Sequence, residues 1–270
     1  MKFAICNETY RGVGFEDVCV DVASCGFDAI EVALNAIAQD PGTLTVEDGR
    51  RLGAVARANG LEVVGLHWLL AAPGGLHLTT NDDATRSRTV RYLQHLAELC
   101  AAMGGSILVL GSPNQRGVLP GQSYDEAFAH ATEACRTVAE TAGDLGLTLA
   151  LEPLSPELTN FLTSAAEARR LIEAVDHSAC RLHLDVYAMG SEPDPIPEII
   201  TAHGDLLVHF HANAPDRRGP GSGGLDYRPI VQALRDVDYQ GYVSVEVFDY
   251  QPDGETIARE SLAYLRRMFA

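Results

Sequence analysis

Positive charge is scarce in this chain. Lys and Arg number 20 against 37 Asp and Glu, a formal net charge of -17. Nonspecific affinity for phosphodiester backbones and anionic headgroups rests on Lys and Arg, so nucleic acid and membrane surfaces are not expected partners. Long apolar runs are missing as well: nothing approaches the ~20 residues of a membrane span, and the opening MKFAICNETY has one Lys and only a brief apolar run. That falls short of a secretory signal. Cys6, Cys19, Cys25, Cys100, Cys135 and Cys180 include no CxxC pair, which speaks against a disulfide framework or a zinc site and for buried thiols in a reducing compartment. No GxGxxG follows the first predicted strand, so a dinucleotide fold lacks its usual support. The expectation is a soluble, unprocessed, cytoplasmic protein.

What the chain has instead is a run of four similar strands between Leu147 and Asp249: LTLALEPL, CRLHLDVYA, LLVHFHAN and YVSVEVFD. Each carries a residue able to bind a metal near its C-terminal end, namely Glu152, Asp185, His211 and Glu246. Successive side chains of a strand point to opposite faces. Glu152 thus shares a face with Ala150 and Thr148, Asp185 with His183, His211 with His209, and Glu246 with Ser244. The opposite faces are apolar throughout. An apolar outer face asks for a cover of helices, and a polar inner face converging at the strand ends asks for a shared site.

The rest of the chain alternates in the same way. Strands are expected at Phe3 to Cys6, Ala29 to Leu34, LEVVGLHW ending near His67, and SILVLGS. Helices are expected from about Phe15 to Ser24, Val46 to Asn59, Asp82 to Met103, Tyr124 to Leu145, Ser164 to Val175, Ile196 to Thr201, Pro229 to Val237 and Glu255 to Met268. With 46% hydrophobic residues and no low-complexity run, a full core is affordable. Eight strands alternating with eight helical segments, with no break in composition, predict one domain over residues 1–270: an α/β chain folded as a (β/α)8 TIM barrel. The four ligand candidates would then meet at its C-terminal mouth.

Two Glu, one Asp and one His form a site of mostly hard oxygen with one imidazole, suited to Mn2+, Mg2+ or Co2+ better than to structural zinc. A cation held there would acidify a hydrogen beside a ketose carbonyl and stabilise the enediolate left behind. Glu152 and Glu246 could then serve as acid and base on opposite sides. On these residues, in LEPL, HLDV, HFHAN and VSVEVF, the whole chain resembles the xylose-isomerase-like sugar isomerases and epimerases, particularly the ketose 3-epimerases. The resemblance implies that the four residues bind one divalent ion, usually manganese, that the two Glu exchange the substrate proton, and that Arg217 contacts substrate oxygens. It also implies a homo-oligomer, since such relatives are often dimers or tetramers. One position departs: the family's His three residues after the strand-six Asp is Ala188 here, which should change which hydroxyl is held.

Each residue has a plainer reading beside the functional one. A lone buried carboxylate in a strand is more often an ion-pair member, but independent ion pairs need not share a face and a strand end. His183 and His209 lie one pleat deeper than the ligands, where they orient ligands or fill the barrel, with His183 also a substrate-contact candidate. His67 and His77 are candidates to compensate for Ala188. Glu157 and Asn160 either line the mouth or cap the next helix, and Arg218 either clamps a phosphate or balances charge. His95, His130, His177 and His203 are assigned no chemistry.

The expected partner is a small sugar or sugar derivative, with Mn2+ (or Mg2+, Co2+ or Zn2+) as cofactor. Three rival functions stay open. A lyase or dehydratase on a keto-sugar or cyclitol would use the same enolate to expel a β-hydroxyl or a glycoside. A zinc endonuclease is disfavoured by the acidic charge and by the lack of further His ligands. A noncatalytic sugar-binding role would tolerate Glu246→Gln.

Overall fold

The alternation of apolar strands and amphipathic helices closes on itself. In the computed structural model, which describes residues 1–270, the strands are β1 (Lys2–Cys6), β2 (Ala29–Ala33), β3 (Glu62–His67), β4 (Ile107–Leu110), β5 (Thr148–Leu151), β6 (Cys180–Asp185), β7 (Leu207–Ala212) and β8 (Tyr242–Val245). They pair in parallel and in sequence order, and β8 returns to β1 to complete a barrel with no free edge. The helices outside it are α1 (Phe15–Cys25), α2 (Val46–Ala58), α3 (Asp83–Met103), α4 (Tyr124–Asp144), α5 (Ala165–Val175), α6 (Val186–Met189), α7 (Ile196–His203), α8 (Arg228–Asp236) and α9 (Gly254–Phe269). No helix is long and apolar enough to cross a membrane.

Local chemistry sets the helix ends. Thr45 with Asp48 and Ser123 with Glu126 form reciprocal capping boxes that start α2 and α4, satisfying amides a helix leaves unpaired at its first turn. α3 stops at Gly104, whose φ of 88° only glycine adopts without strain. All six cysteines are free and five of them are buried, as small apolar side chains.

Two differences from the sequence expectation bear on the site. Strands β5, β6 and β8 end sooner than their apolar runs suggested, at Leu151, Asp185 and Val245. Glu152 and Glu246 therefore sit one residue past the last paired position. The residue after Glu152 is Pro153, which has no N–H to give a ladder. The segment after Asp185 coils instead of extending: the Asp185 carboxylate accepts from the Ala188 amide at 2.7 Å and caps α6, a ninth helix where eight were expected.

The barrel interior is layered. Ala4, Ala29, Val64, Ile107, Val109 and Ala150 fill its lower part. Two residues further along the chain the filling turns polar, with Cys6, Glu31 and Glu152 following Ala4, Ala29 and Ala150. Small residues also set the spacing between elements. A Cβ on Gly65 would lie 1.9 Å from the Ile107 carbonyl oxygen of the neighbouring strand, an overlap with backbone that no rotamer relieves. Gly65→Ala is expected to destabilise the barrel by about 3 kcal/mol, at or above the usual range for overpacking. Chemical denaturation followed by far-UV circular dichroism checks this.

Candidate functional site

Four strand ends deliver the predicted donors to one place. Glu152, Asp185, His211 and Glu246 are all buried, and one ligand atom from each lies within 4.8 Å of every other. Each donor is held from behind. Asp185 accepts from Ala188 N at 2.7 Å and from Asn213 Nδ2 at 2.5 Å. Tyr227 Oη in turn fixes the Asn213 carbonyl at 2.6 Å. Glu246 Oε1 accepts from the Trp68 indole at 2.9 Å and lies 3.3 Å from His67 Nδ1, while Oε2 is 3.0 Å from His211 Nδ1. Gly111 makes the room for Glu152: a Cβ there would lie 1.5 Å from Oε2.

Behind the four runs a buried network built on Glu31 and Glu8, two carboxylates that sequence reasoning did not pick out. His211 Nε2 is 3.1 Å from both Glu31 oxygens, and His209 Nε2 is 2.8 Å from the same carboxylate. His67 Nε2 is 2.9 Å from Glu8. With Nε2 committed to Glu31, His211 offers Nδ1 to the ligand cluster, the way a carboxylate behind an imidazole fixes its tautomer at metal sites. Arg116, 1% exposed, donates to the carbonyls of Glu152 at 2.5 Å and of Leu110 and Leu162 at 3.4 Å. It ties together the chain on both sides of Glu152. Burial brings its guanidinium down to about 10.

Charge is unevenly offset here. Burial, reinforced by the charge of Glu246, pushes the Glu152 carboxyl up to about 8 and Asp185 up to about 7. Burial would raise Glu246 too, but His211 and His67 outweigh it and bring it down to about 2. Burial likewise opposes charge on His211, yet Glu31 and Glu246 hold it well above the ordinary imidazole range. His183 is held low by burial and by neighbouring imidazoles, and neither of its nitrogens has a hydrogen-bond partner. Crowded hard donors, short of compensating charge, suit a dication.

The cluster forms the floor of a cavity of about 340 Å³. Trp68, Ser112, Asn114, Gln115 and Arg217 line one part of it, and Leu154, Leu158, Tyr187, Ala188 and Phe248 another. Trp68 and Arg217 both adopt positive φ, 52° and 68°. For residues other than glycine this costs of order 1 kcal/mol or more, and such strain gathers at functional sites.

The remaining sequence candidates divide. Arg217 reaches the cavity wall, as expected. His67 and His183 lie instead behind the donors: His67 bridges Glu8 and Glu246, and His183 Nε2 is 3.7 Å from Glu152 Oε1. His183 faces inward one pleat deeper than Asp185, and His67, the last residue of β3, lies between the Glu8 and Glu246 carboxylates, so neither is directed at the opening. Glu157 is exposed on the loop after β5 and its neighbours Leu154 and Leu158 take the wall. Asn160 neither caps a helix nor faces the cavity; its amide pairs with Val118 N and O at 2.8 and 3.1 Å. His77 turns to Thr79 and Thr89. Arg218 pairs with Asp249 at 2.9 Å, a charge balance. More imidazoles surround His211 than the strand ends alone indicated, since His183 and His209 fall beside it.

The family follows from the same chain. A sequence model of the xylose isomerase-like TIM barrel matches residues 19–268. A D-psicose 3-epimerase of Agrobacterium fabrum is 31% identical, over 84% of this chain and 77% of its own. A 3-dehydro-D-guloside 4-epimerase of Escherichia coli is 28% identical, over 98% of this chain and 99% of its own. The solved structure of a D-psicose 3-epimerase in the presence of D-fructose superposes with a TM-score of 0.88 over 100% of this chain and 99% of that one, at 24% identity, a likeness of fold. The chain belongs to the xylose isomerase-like TIM barrel family.

Donors that must lose protons to bind a cation make binding pH-dependent. With Glu152 near 8 and Asp185 near 7, both carboxyls hold protons below those values and release them on metal entry. Manganese affinity measured by calorimetry is therefore expected to climb steadily between pH 6 and pH 8, with proton release on binding that shrinks over the same range toward the proton that His211, held above the ordinary imidazole range, still gives up to offer Nδ1.

Proposed function

We propose that this enzyme, of the sugar epimerase and isomerase class, is metal-dependent and moves a proton at a carbon next to a ketose carbonyl, with Glu152 and Glu246 as its acid/base pair. The observation that carries the reading is the convergence of Glu152, Asp185, His211 and Glu246 within 4.8 Å on the floor of the one cavity that also holds Trp68 and Arg217. The donor set fits a hard divalent cation, Mn2+ foremost and Mg2+, Co2+ or Zn2+ by the same chemistry. Those four residues would hold it. When bound, it supplies the positive charge that makes the hydrogen beside a carbonyl acidic.

The chain's own residues do the rest. Glu152 arrives on β5 and Glu246 on β8, so the two carboxyls approach a sugar from different sides of the barrel. Their surroundings already push them apart, Glu152 toward the protonated form and Glu246 toward the ionised one. A pair tuned in that way can take a proton from one face of a carbon and return one to the other. Trp68 donates to Glu246 Oε1 and holds it in place. Burial in the floor keeps both carboxyls largely out of bulk water. Arg217, placed over Phe248 with Cζ 5.8 Å from the ring centroid, offers donors to sugar oxygens.

The relatives named above act at carbon 3 or carbon 4 of keto sugars, by their names. The same walls and carboxyls suit either position, because both neighbour a carbonyl. In heavy water with manganese, the wild-type protein is expected to wash deuterium into the carbon beside the carbonyl of a keto sugar. Glu152→Gln and Glu246→Gln should each slow this by about 10²–10⁴-fold, the usual range for a lost acid or base, with an unchanged circular dichroism spectrum. Exchange that survives both substitutions, read by mass spectrometry, would contradict the assignment. Gly111→Ala, which places a Cβ on Glu152 Oε2, should weaken manganese binding by at least tenfold while thermal unfolding moves little.

A further inference from the structure

A second cavity, of about 190 Å³, lies among the chain segments that follow β1, β2, β3 and β8, and the proposed reaction makes no use of it. Trp68 is the one residue that lines both this cavity and the one over the metal donors. We infer that the second cavity is a binding site for a small α-amino acid, with the ammonium on Glu8 and the carboxylate on Arg11. Neither the metal donors nor a keto sugar takes part.

The walls are fixed from outside. Asn7 ties the end of β1 to the end of β2, its Oδ1 accepting from Ala33 N at 2.7 Å. The Tyr10 hydroxyl donates to Asp21 Oδ2 at 2.6 Å, and the Trp68 indole donates to Glu246 Oε1 at 2.9 Å. The space is therefore kept open by the fold and does not depend on a loose loop.

Its polar groups are unspent. Glu8 is 5% exposed. Its Oε2 is taken by His67 Nε2 at 2.9 Å, whereas its Oε1 has no hydrogen-bond partner, and the buried Oδ1 of Asn35, in the same wall, has none either. A buried acceptor left without a donor costs about 1–3 kcal/mol. Arg11, also in the wall, is exposed and stacks on Tyr250 with Cζ 4.1 Å from the ring centroid. It forms no salt bridge, although acids outnumber bases by 37 to 20 in the chain. Two acceptors without donors and a guanidinium without an anion ask for a ligand with a donor at one end and an anion at the other.

Charge selects the donor. A water would satisfy Glu8 Oε1 and leave Arg11 as it is. Hydrogen bonds between ionised partners are the stronger ones, so a carboxylate favours an ammonium over a hydroxyl, and aromatic rings in the wall, those of Tyr10 and Trp68 among them, favour a cation further. The volume of about 190 Å³ equals roughly six waters at about 30 Å³ each, room for an amino acid the size of alanine or serine. Such an occupant would touch two supports of Glu246, Trp68 directly and Glu8 through His67.

Calorimetry on the full chain, kept free of metal so that chelation does not imitate the site, tests this with L-alanine, L-serine, L-lactate and ethanolamine. Alanine or serine is expected to bind with a dissociation constant below about 1 mM, at least tenfold tighter than lactate, which lacks the ammonium, and than ethanolamine, which lacks the carboxylate. Arg11→Met, at an exposed loop position, and Glu8→Gln should each weaken the amino acid at least tenfold. Arg217→Ala, in the wall of the first cavity, should change its affinity less than twofold. No binding of either amino acid at about 10 mM would mean that the cavity holds water only and would overturn the inference. Lactate or ethanolamine bound as tightly as alanine would overturn it too, since one end of the ligand would then go unread. An effect of Arg217→Ala as large as that of Arg11→Met would place the ligand over the metal donors and overturn it equally.

Discussion

Five carboxylates inside one barrel are the constraint on which the structure turns. Glu8, Glu31, Glu152, Asp185 and Glu246 are each at most 7% exposed, and burying ionised carboxylates is costly unless they are paired. The chain offsets part of that cost with imidazoles. Glu31 is shared by His209 and His211, and Glu246 lies between His67 and His211. Glu152 and Asp185 are left without an equivalent partner, and burial pushes their carboxyls toward the neutral form. The interior thus has matched charge in its deeper layer and surplus acid at its rim, where a cation would complete it.

Barrel geometry converts that surplus into a site. Parallel strands all leave the sheet at the same end, so residues at successive strand ends become neighbours whatever their separation in sequence. β5, β6 and β8 stop at or just before their ligand residue, and the departing chain forms the cavity wall. The same departures hold the ligands: Asp185 caps the turn that begins there, and Arg116 clamps the carbonyl of Glu152 from the loop after β4. Support and site are built from one set of backbone turns.

Much of this is legible in the sequence. The alternation within CRLHLDVYA or YVSVEVFD sets which face each acid occupies, and the shared strand end sets where the acids meet. Both follow from local periodicity. What local patterns do not carry is the identity of partners across the barrel. Glu31 lies in AIEVA, and a lone charge in so apolar a strand is the signal that marks it as interior, but its partners His209 and His211 lie 178 and 180 residues away. Arg116 sits in a loop rich in turn residues, where an arginine reads as solvated; only the fold shows three carbonyls converging on it. His67 looks like a candidate for the mouth because it ends its strand, yet its ring lies between the Glu8 and Glu246 carboxylates; the deeper place of His183 is already legible in its spacing from Asp185. Glu157 and Leu158 differ by one residue on an irregular loop, and no periodicity says which of them faces inward.

The central claim, that four strand ends share one divalent cation, is tested most directly by anomalous diffraction from a crystal soaked in manganese. The account predicts a single strong peak at the manganese edge among Glu152, Asp185, His211 and Glu246, with Nδ1 as the coordinating nitrogen of His211. No peak at saturating manganese, or a peak bound by residues outside this group, would contradict it.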